Sequence, residues 1–293
     1  MATDKTLRRH LDRFACVGRA SRDADAGDQT HDGQGSLNFT RAIVRPPSEN
    51  FADGLTNVDL GKPDYELALR QHEAYCRVLE ECGLTLTRLN ADERYPDSTF
   101  VEDTAVLTEK GAVIARPGAL SRLGEAVEIE AVLRRDHDRI RWIREPGTLD
   151  GGDVCEAGDT FFIGLSRRTN EAGAEQLAGF LEEFGYRSTL IDIRPLSNIL
   201  HLKSGLACLG SSRLLVVDEL KNLAQLSGYE LVNVDAIESY AANCLRVNGC
   251  LLVAAGFPVV QRRLEDLGYK RIVLDMSEFQ KMDGGLSCLS LRF

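Results

Sequence analysis

Leu79-Glu-Glu-Cys-Gly-Leu84, Leu181-Glu-Glu-Phe-Gly-Tyr186 and Leu264-Glu-Asp-Leu-Gly-Tyr269 are three copies of one phrase. Each runs directly into a short apolar stretch, Thr85-Leu-Thr-Arg-Leu89, Ser188-Thr-Leu-Ile-Asp192 and Arg271-Ile-Val-Leu-Asp275. A glycine closing a helical run takes the left-handed C-cap conformation at no steric cost, so the phrase reads as helix end, glycine cap, strand. A weaker fourth copy is Leu226-Ser-Gly-Tyr229 before Leu231-Val-Asn-Val234. The upstream helices fit, with Leu67, Tyr75, Val78, Leu79 and Cys82 at helical spacing in one and Ala174, Leu177, Leu181 and Phe184 in another.

Ahead of these helices a second unit recurs, a hairpin: residues 98–107, a Glu-Lys-Gly turn, then 112–115. It returns as Asp153-Val-Cys with 160–164, as 206–209 with 214–217, and as 244–247 with 250–254 across Asn248-Gly249. The module is strand, strand, helix, strand, and its copies begin near Asp97, Asp150, Gly205, Asn243 and Gly285. The fifth copy holds only its first strand before the chain ends. Its missing parts stand at the other end: a strand at 39–45, a helix at 63–82 and a strand at 85–89. Such spacing belongs to closed repeat architectures. The expected fold is an α/β five-bladed propeller of five ββαβ modules around a pseudo-five-fold axis, closed by the two terminal segments.

The chain of 293 residues is 43% hydrophobic and 27% charged, as in globular domains, with a formal net charge of −10. That balance argues against nucleic acid, which selects basic stripes. Apolar runs such as Cys250-Leu-Leu-Val-Ala-Ala255 are strand length, far short of a membrane span. Residues 18–36 hold almost nothing to bury, so 1–36 read as a mobile tail and 37–293 as one catalytic domain. Eight cysteines, at 16, 76, 82, 155, 208, 244, 250 and 288, form no CxxC pair and have no ligating histidines nearby. They indicate a reducing, cytoplasmic setting with no structural metal. A homodimer is left open.

A closed ring brings the ends of its first strands together, so groups distant in sequence face one another. Cys288, behind Gly284-Gly285 at the start of the last alternating strand, is the candidate nucleophile. A thiol of pKa near 8.5 is only about 3% thiolate at pH 7, so it needs a cation beside it. His201, set between Ile199-Leu200 and Leu202, is the candidate acid and base, whereas His72 and His137 lie in charged helical runs and read as solvated. Asp97, Glu102 and Asp103 place three carboxylates near one strand, which is costly to bury without a positive partner. A planar guanidinium suits forked carboxylates best.

At these residues the chain resembles a known family. Phe100-Val-Glu-Asp-Thr-Ala105, Arg116-Pro-Gly-Ala-Leu-Ser-Arg122, Thr148-Leu-Asp-Gly-Gly-Asp153, Gly164-Leu-Ser-Arg-Arg-Thr-Asn170, His201-Leu-Lys-Ser204, Ala241-Ala-Asn-Cys244 and Asp283-Gly-Gly-Leu-Ser-Cys288 are similar to the dimethylarginine dimethylaminohydrolases of the guanidine-modifying pentein superfamily, over residues 39–293. The resemblance implies cofactor-free hydrolysis of asymmetric dimethylarginine and monomethylarginine to citrulline and the amine. It implies Cys288 as nucleophile, His201 as acid and base, and Asp150 as the group orienting it. Asp103 and Asp150 would hold guanidinium nitrogens, with Glu102 as a further substrate-binding carboxylate. Arg122 and Arg168 would grip the α-carboxylate, and Asp97 with the carbonyls of Leu55 and Met282 the α-amino group. Residues 46–57 would form a lid. The sequence departs in that some bacterial relatives carry Glu where Asp150 stands. Two alternatives stay open: a deiminase of unmethylated arginine, and a non-catalytic binding module of the ribosomal anti-association type, which lacks the Cys and His pair.

Overall fold

The structure, a computed structural model, describes residues 38–293 apart from Ser211. The tail read from residues 1–36 lies outside the described residues. The chain enters β1 (Arg41–Val44), crosses the 3-10 turn Phe51–Asp53, and continues through α1 (Tyr65–Glu81) and β2 (Thr85–Arg88). Next come β3 (Ala105–Thr108), β4 (Gly111–Ile114), α2 (Ala126–Leu133) and β5 (Ile140–Trp142), then β6 (Val154–Ala157), β7 (Thr160–Leu165), α3 (Glu171–Glu183) and β8 (Arg187–Asp192). They are followed by β9 (Leu206–Gly210), β10 (Arg213–Val217) and β11 (Glu230–Val234). The last set is β12 (Leu245–Val247), β13 (Cys250–Ala254), α4 (Pro258–Asp266), β14 (Arg271–Leu274), α5 (Ser277–Gln280) and β15 (Ser290–Arg292).

These strands form five three-stranded sheets, β3-β4-β5, β6-β7-β8, β9-β10-β11, β12-β13-β14 and β15-β1-β2. Each repeats one plan: an antiparallel hairpin whose second strand pairs in parallel with the third. The fifth sheet joins both ends of the chain, with Ala42 opposite Arg292 and Val44 opposite Ser290. The first strands stand side by side, β6 against β9, β9 against β12, and β15 against β3. The expected five-bladed α/β propeller is the fold. No described helix is long and apolar enough to cross a membrane.

The recurring phrase is a helix-closing motif in atomic terms. In each copy the residue after glycine donates to the carbonyl five residues back, Leu84 to Leu79 at 3.1 Å, Tyr186 to Leu181 at 2.8 Å and Tyr269 to Leu264 at 3.1 Å. The glycine N–H bonds three residues back, and Gly83, Gly185 and Gly268 all have φ between 83° and 95°. These paired bonds satisfy carbonyls that the helix end would otherwise orphan. At the other ends, Asp64 accepts from Leu67 N and Asn170 from Gly173 N, both at 2.8 Å.

Three expectations need correction. The module of β9, β10 and β11 has no α-helix; the 3-10 turn Ala224–Leu226 stands in its place, and Gly228 is not left-handed there. Residues 98–104 do not extend β3, because Val101–Thr104 forms a 3-10 turn. His72 is buried in α1 with Nδ1 3.6 Å from Cys76 Sγ, and burial pushes its pKa down to about 4. It is a core histidine, not a solvated one.

Candidate active site

Every first strand is preceded by a 3-10 turn: Val101–Thr104, Gly151–Asp153, Leu202–Ser204, Ala236–Ala242 and Ser287–Leu289. Neighbouring turns touch around the axis, the first against the second and the fifth, the third against the second and the fourth. Residues near the starts of strands far apart in sequence therefore meet at one end of the ring. Asp103 lies in the first turn, Asp150 and His201 directly precede the second and third, Asn243 follows the fourth, and Cys288 lies in the fifth.

His201 Nε2 lies 3.0 Å from Asp150 Oδ2, while Asp150 Oδ1 accepts from Gly118 N at 2.8 Å. Both side chains are buried. Burial disfavours the imidazolium, but the Asp103 charge and the Asp150 hydrogen bond outweigh it, raising His201 from 6.5 to about 9. Asp103 shows the complementary balance. Burial alone would raise it, yet the His201 and Arg122 charges hold it at about 2. Its Oδ1 accepts from Gly152 N at 2.9 Å. The oxygens of Asp103 and Asp150 and a ring nitrogen of His201 lie within 4.8 Å of one another, a spacing that could suit a metal ion. The hydrogen bonds just given already account for that closeness.

Cys288 is half-buried, with Sγ accepting from Gly285 N at 3.4 Å and from Asn243 Nδ2 at 3.9 Å. Burial, then the charges of Glu102 and Asp103, push its thiol up to about 12. The free pocket thus favours a neutral thiol beside a charged imidazole. An incoming cation would reverse the first of these.

One narrow cavity is lined by Cys288, His201, Asp103, Asp97, Arg122, Arg168, Leu55 and Met282, eight of the ten residues expected at the site. Asp150 stands behind His201. Glu102 points elsewhere: Oε1 accepts from Lys203 Nζ at 2.7 Å and Arg292 Nη2 at 3.2 Å, Oε2 from Ser287 Oγ at 2.8 Å, and it lines a separate cavity along the ring axis. Arg168 reaches the pocket with no ion-pair partner among the described residues, near enough to Asp97 to act on its charge. Arg122 differs, being buried and bonded to Asp103 at 2.6 Å and to Glu125 at 2.7 Å. Leu55 N donates to Asp97 Oδ1 at 2.9 Å, which brings the 46–57 segment over the pocket.

Three supporting carboxylates were given no role from the sequence. Asp153 is fully buried and accepts from Ser166 Oγ at 2.6 Å, Thr169 Oγ1 at 2.7 Å and Leu202 N at 3.0 Å, tying the loop of Arg168 to that of His201. Burial pushes its pKa up to about 6. Glu125 holds Arg122, and burial lifts it to about 7 despite that guanidinium. Asp283 lines the pocket beside Phe100, Leu200 and Gly284. Asp153 and Asp283 both stand in runs singled out above, residues 148–153 and 283–288, whereas Glu125 stands in none.

Comparison with known proteins agrees with this geometry. The arginine deiminase family pattern matches residues 93–226. N(G),N(G)-dimethylarginine dimethylaminohydrolase of Pseudomonas aeruginosa is 43% identical over 256 residues, 87% of this chain and 100% of that protein. The protein of that name from Streptomyces coelicolor is 38% identical over 86% of this chain and 96% of its own length. A solved Pseudomonas aeruginosa structure, a cysteine-to-serine mutant complexed with citrulline, superposes with a TM-score of 0.85 at 43% identity, covering 88% of this chain and 100% of that one. The N-terminal domain of ArgZ, a cyanobacterial arginine dihydrolase, shares the fold with a TM-score of 0.79 at 18% identity. With relatives this similar over nearly their whole length, the chain belongs to the dimethylarginine dimethylaminohydrolase family of the pentein superfamily.

Proposed function

We propose that this chain hydrolyses Nω-methylated arginines, asymmetric dimethylarginine and monomethylarginine, to citrulline and dimethylamine or methylamine. The observation that carries the reading is the state of the pocket: a half-buried thiol pushed up to about 12 beside the Asp103 carboxylate and a charged imidazole. Such a thiol becomes a nucleophile when a cation neutralises the carboxylates around it. A guanidinium is that cation and also carries the carbon to be attacked.

As the guanidinium enters, Cys288 loses its proton to solvent and the thiolate adds to the guanidinium carbon. The carbon–nitrogen bond to the methylated amine breaks as His201 gives that nitrogen its proton, leaving an S-alkylthiouronium on Cys288. His201, now neutral, takes a proton from water. The resulting hydroxide adds to the same carbon, the carbon–sulfur bond breaks with its electron pair going to sulfur, the added hydroxyl's proton passes to that thiolate, and citrulline leaves. Asp150 keeps the imidazole oriented, and Asp103 receives guanidinium N–H groups. Asp97 with the Leu55 and Met282 carbonyls takes the α-amino group, and Arg168 the α-carboxylate. Arg122 keeps one unpaired N–H for the substrate and mainly braces Asp103. Every group in this scheme is a side chain or main-chain atom, so neither cofactor nor metal is invoked.

The match of residues 93–226 to the arginine deiminase pattern favours a second reading, in which the leaving nitrogen is unmethylated. Product analysis with asymmetric dimethylarginine and arginine in parallel separates the two. Dimethylamine release at the higher kcat/KM supports the first reading, and ammonia release at the higher value replaces it. Residues 37–293 are expected to suffice for activity. The seven described cysteines are all free thiols, which suits a cytoplasmic setting.

A further inference from the structure

Asp283 has no role in that scheme, yet its backbone and its side chain are both unusual. It precedes Gly284 and Gly285 in the loop ending at Cys288, with φ of 56°. Aspartate tolerates this left-handed conformation better than most residues, though at a cost glycine would not incur. The Asp283 carboxylate crosses to the lid. Oδ2 accepts from Asn57 N at 2.6 Å, from Asn57 Nδ2 at 3.3 Å and from Thr56 Oγ1 at 3.4 Å. Thr56 Oγ1 also reaches Lys281 O at 3.0 Å. With Leu55 N on Asp97, three successive lid residues are fastened to the pocket rim.

The residues either side of Asp283 matter equally. Met282 and Gly284 line the pocket, as Asp283 itself does. The cavity, partly open to solvent, has about 30 Å³ of free space, room for about two waters. An amino acid needs more than that, and a bond fastening the segment over the pocket opposes the widening that would admit one.

We propose that Asp283 is a positioning residue that latches the lid at Thr56 and Asn57 to the loop carrying Cys288. Closing the lid then sets the Met282 carbonyl and the Leu55 carbonyl around the substrate's amino end in one movement. The latch selects for guanidines that carry an α-amino acid, because only these reach Leu55, Asp97 and Met282. The kinetic part rests on the pocket being a methylarginine site; the lid part does not.

The test is Asp283→Gly, with Asp283→Asn as the second variant. Glycine removes the carboxylate and relieves the left-handed backbone, so the melting temperature is expected to hold or rise. Without substrate, amide exchange in a peptide spanning residues 50–60 is expected to accelerate by about tenfold, the loss of one charge-assisted bond. With substrate, kcat/KM for asymmetric dimethylarginine is expected to fall by about tenfold, mostly through KM, while a methylated guanidine on a plain alkyl chain changes less than about twofold. Asparagine, tolerant of the same backbone but a neutral acceptor, should fall between. Unchanged lid exchange overturns the latch. So does a lower melting temperature with equal losses on both substrates, which would make Asp283 a brace for the fold. If the wild type turned over no methylarginine, the function proposed above would fail, and lid exchange would still decide the latch.

Discussion

Arg122 Nη1 lies 2.6 Å from Asp103 Oδ2, with both side chains shut off from solvent. Glu125 takes Nε at 3.0 Å and Nη2 at 2.7 Å, and Phe100 O takes Nη2 at 3.2 Å. This guanidinium neutralises two buried carboxylates before any substrate arrives. Arg122→Met would strip both of their partner, which costs about 3–5 kcal/mol for a broken buried pair. At about 2–4 °C per kcal/mol for a domain near this size, the melting temperature is expected to drop by roughly 6–20 °C. Calorimetry checks it. An unchanged melting temperature with a raised KM would make Arg122 a substrate ligand first.

Arg168 is the contrasting case, facing the pocket without an ion-pair partner among the described residues. Its side chain is free to meet a carboxylate bidentately, a geometry that lysine cannot copy. Arg168→Lys is expected to cost about 1.5–3 kcal/mol of binding, roughly ten- to a hundredfold in kcat/KM, with stability untouched. The loss should vanish for a methylated alkylguanidine lacking the carboxylate. Equal losses on both substrates would remove Arg168 from the carboxylate site.

The pH dependence follows from His201 and Cys288. His201 titrates at about 9 in the fold against an ordinary 6.5, so its protonated form stabilises the folded state. That contribution is fully present below about 6.5 and is lost as pH rises through about 9. Leaving-group protonation needs the same proton, so kcat/KM, which reports the free protein, is expected to fall on passing pH 9. In the free protein Cys288 stays a thiol until far above neutrality. Its alkylation by iodoacetamide at pH 7, followed by mass spectrometry of the C-terminal peptide, is expected to be much slower than that of an exposed cysteine. Fast labelling at pH 7 would contradict substrate-assisted ionisation.

The five-fold plan was legible because its punctuation is local. A glycine separated by one residue from an acidic pair closes α1, α3 and α4 by the same pair of backbone bonds, so the copies look alike in the chain. Where that chemistry fails, at Gly228, the helix is missing too. The candidate site was legible to the extent that strand starts converge on an axis. Glu102 and Asp103 show the limit. They are adjacent, but the turn at Val101–Thr104 sends Asp103 into the pocket and Glu102 to Lys203 on the other side. Reading the segment as a strand hid that divergence. The roles of Asp153 and Asp283 were illegible for another reason: Asp153 reaches Leu202 in the next module and Asp283 reaches Thr56 and Asn57 at the far end of the chain, and such contacts leave no spacing signal. Glu125 acts within its own module, on Arg122 three residues away, a spacing too common to single it out.

Gly152 tests how finely the catalytic turn is built. A Cβ there would stand 2.8 Å from both Asp103 Oδ1 and His201 Nδ1, closer than side-chain carbons ever come to such atoms. Its backbone is not left-handed, so alanine brings no conformational penalty of its own. The imidazole must therefore shift from its place against Asp150. A displacement near 1 Å in a reacting group can cost about a hundredfold, so Gly152→Ala is expected to lower kcat/KM on the order of 10²-fold, with KM also raised because Asp103 is displaced along with His201. Gly179 in α3 is the control, since nothing lies within 4 Å of a Cβ there. Gly179→Ala should raise stability by roughly 0.5–1 kcal/mol and leave the kinetics alone. If Gly152→Ala behaves like Gly179→Ala, the placement of His201 is looser than this packing requires.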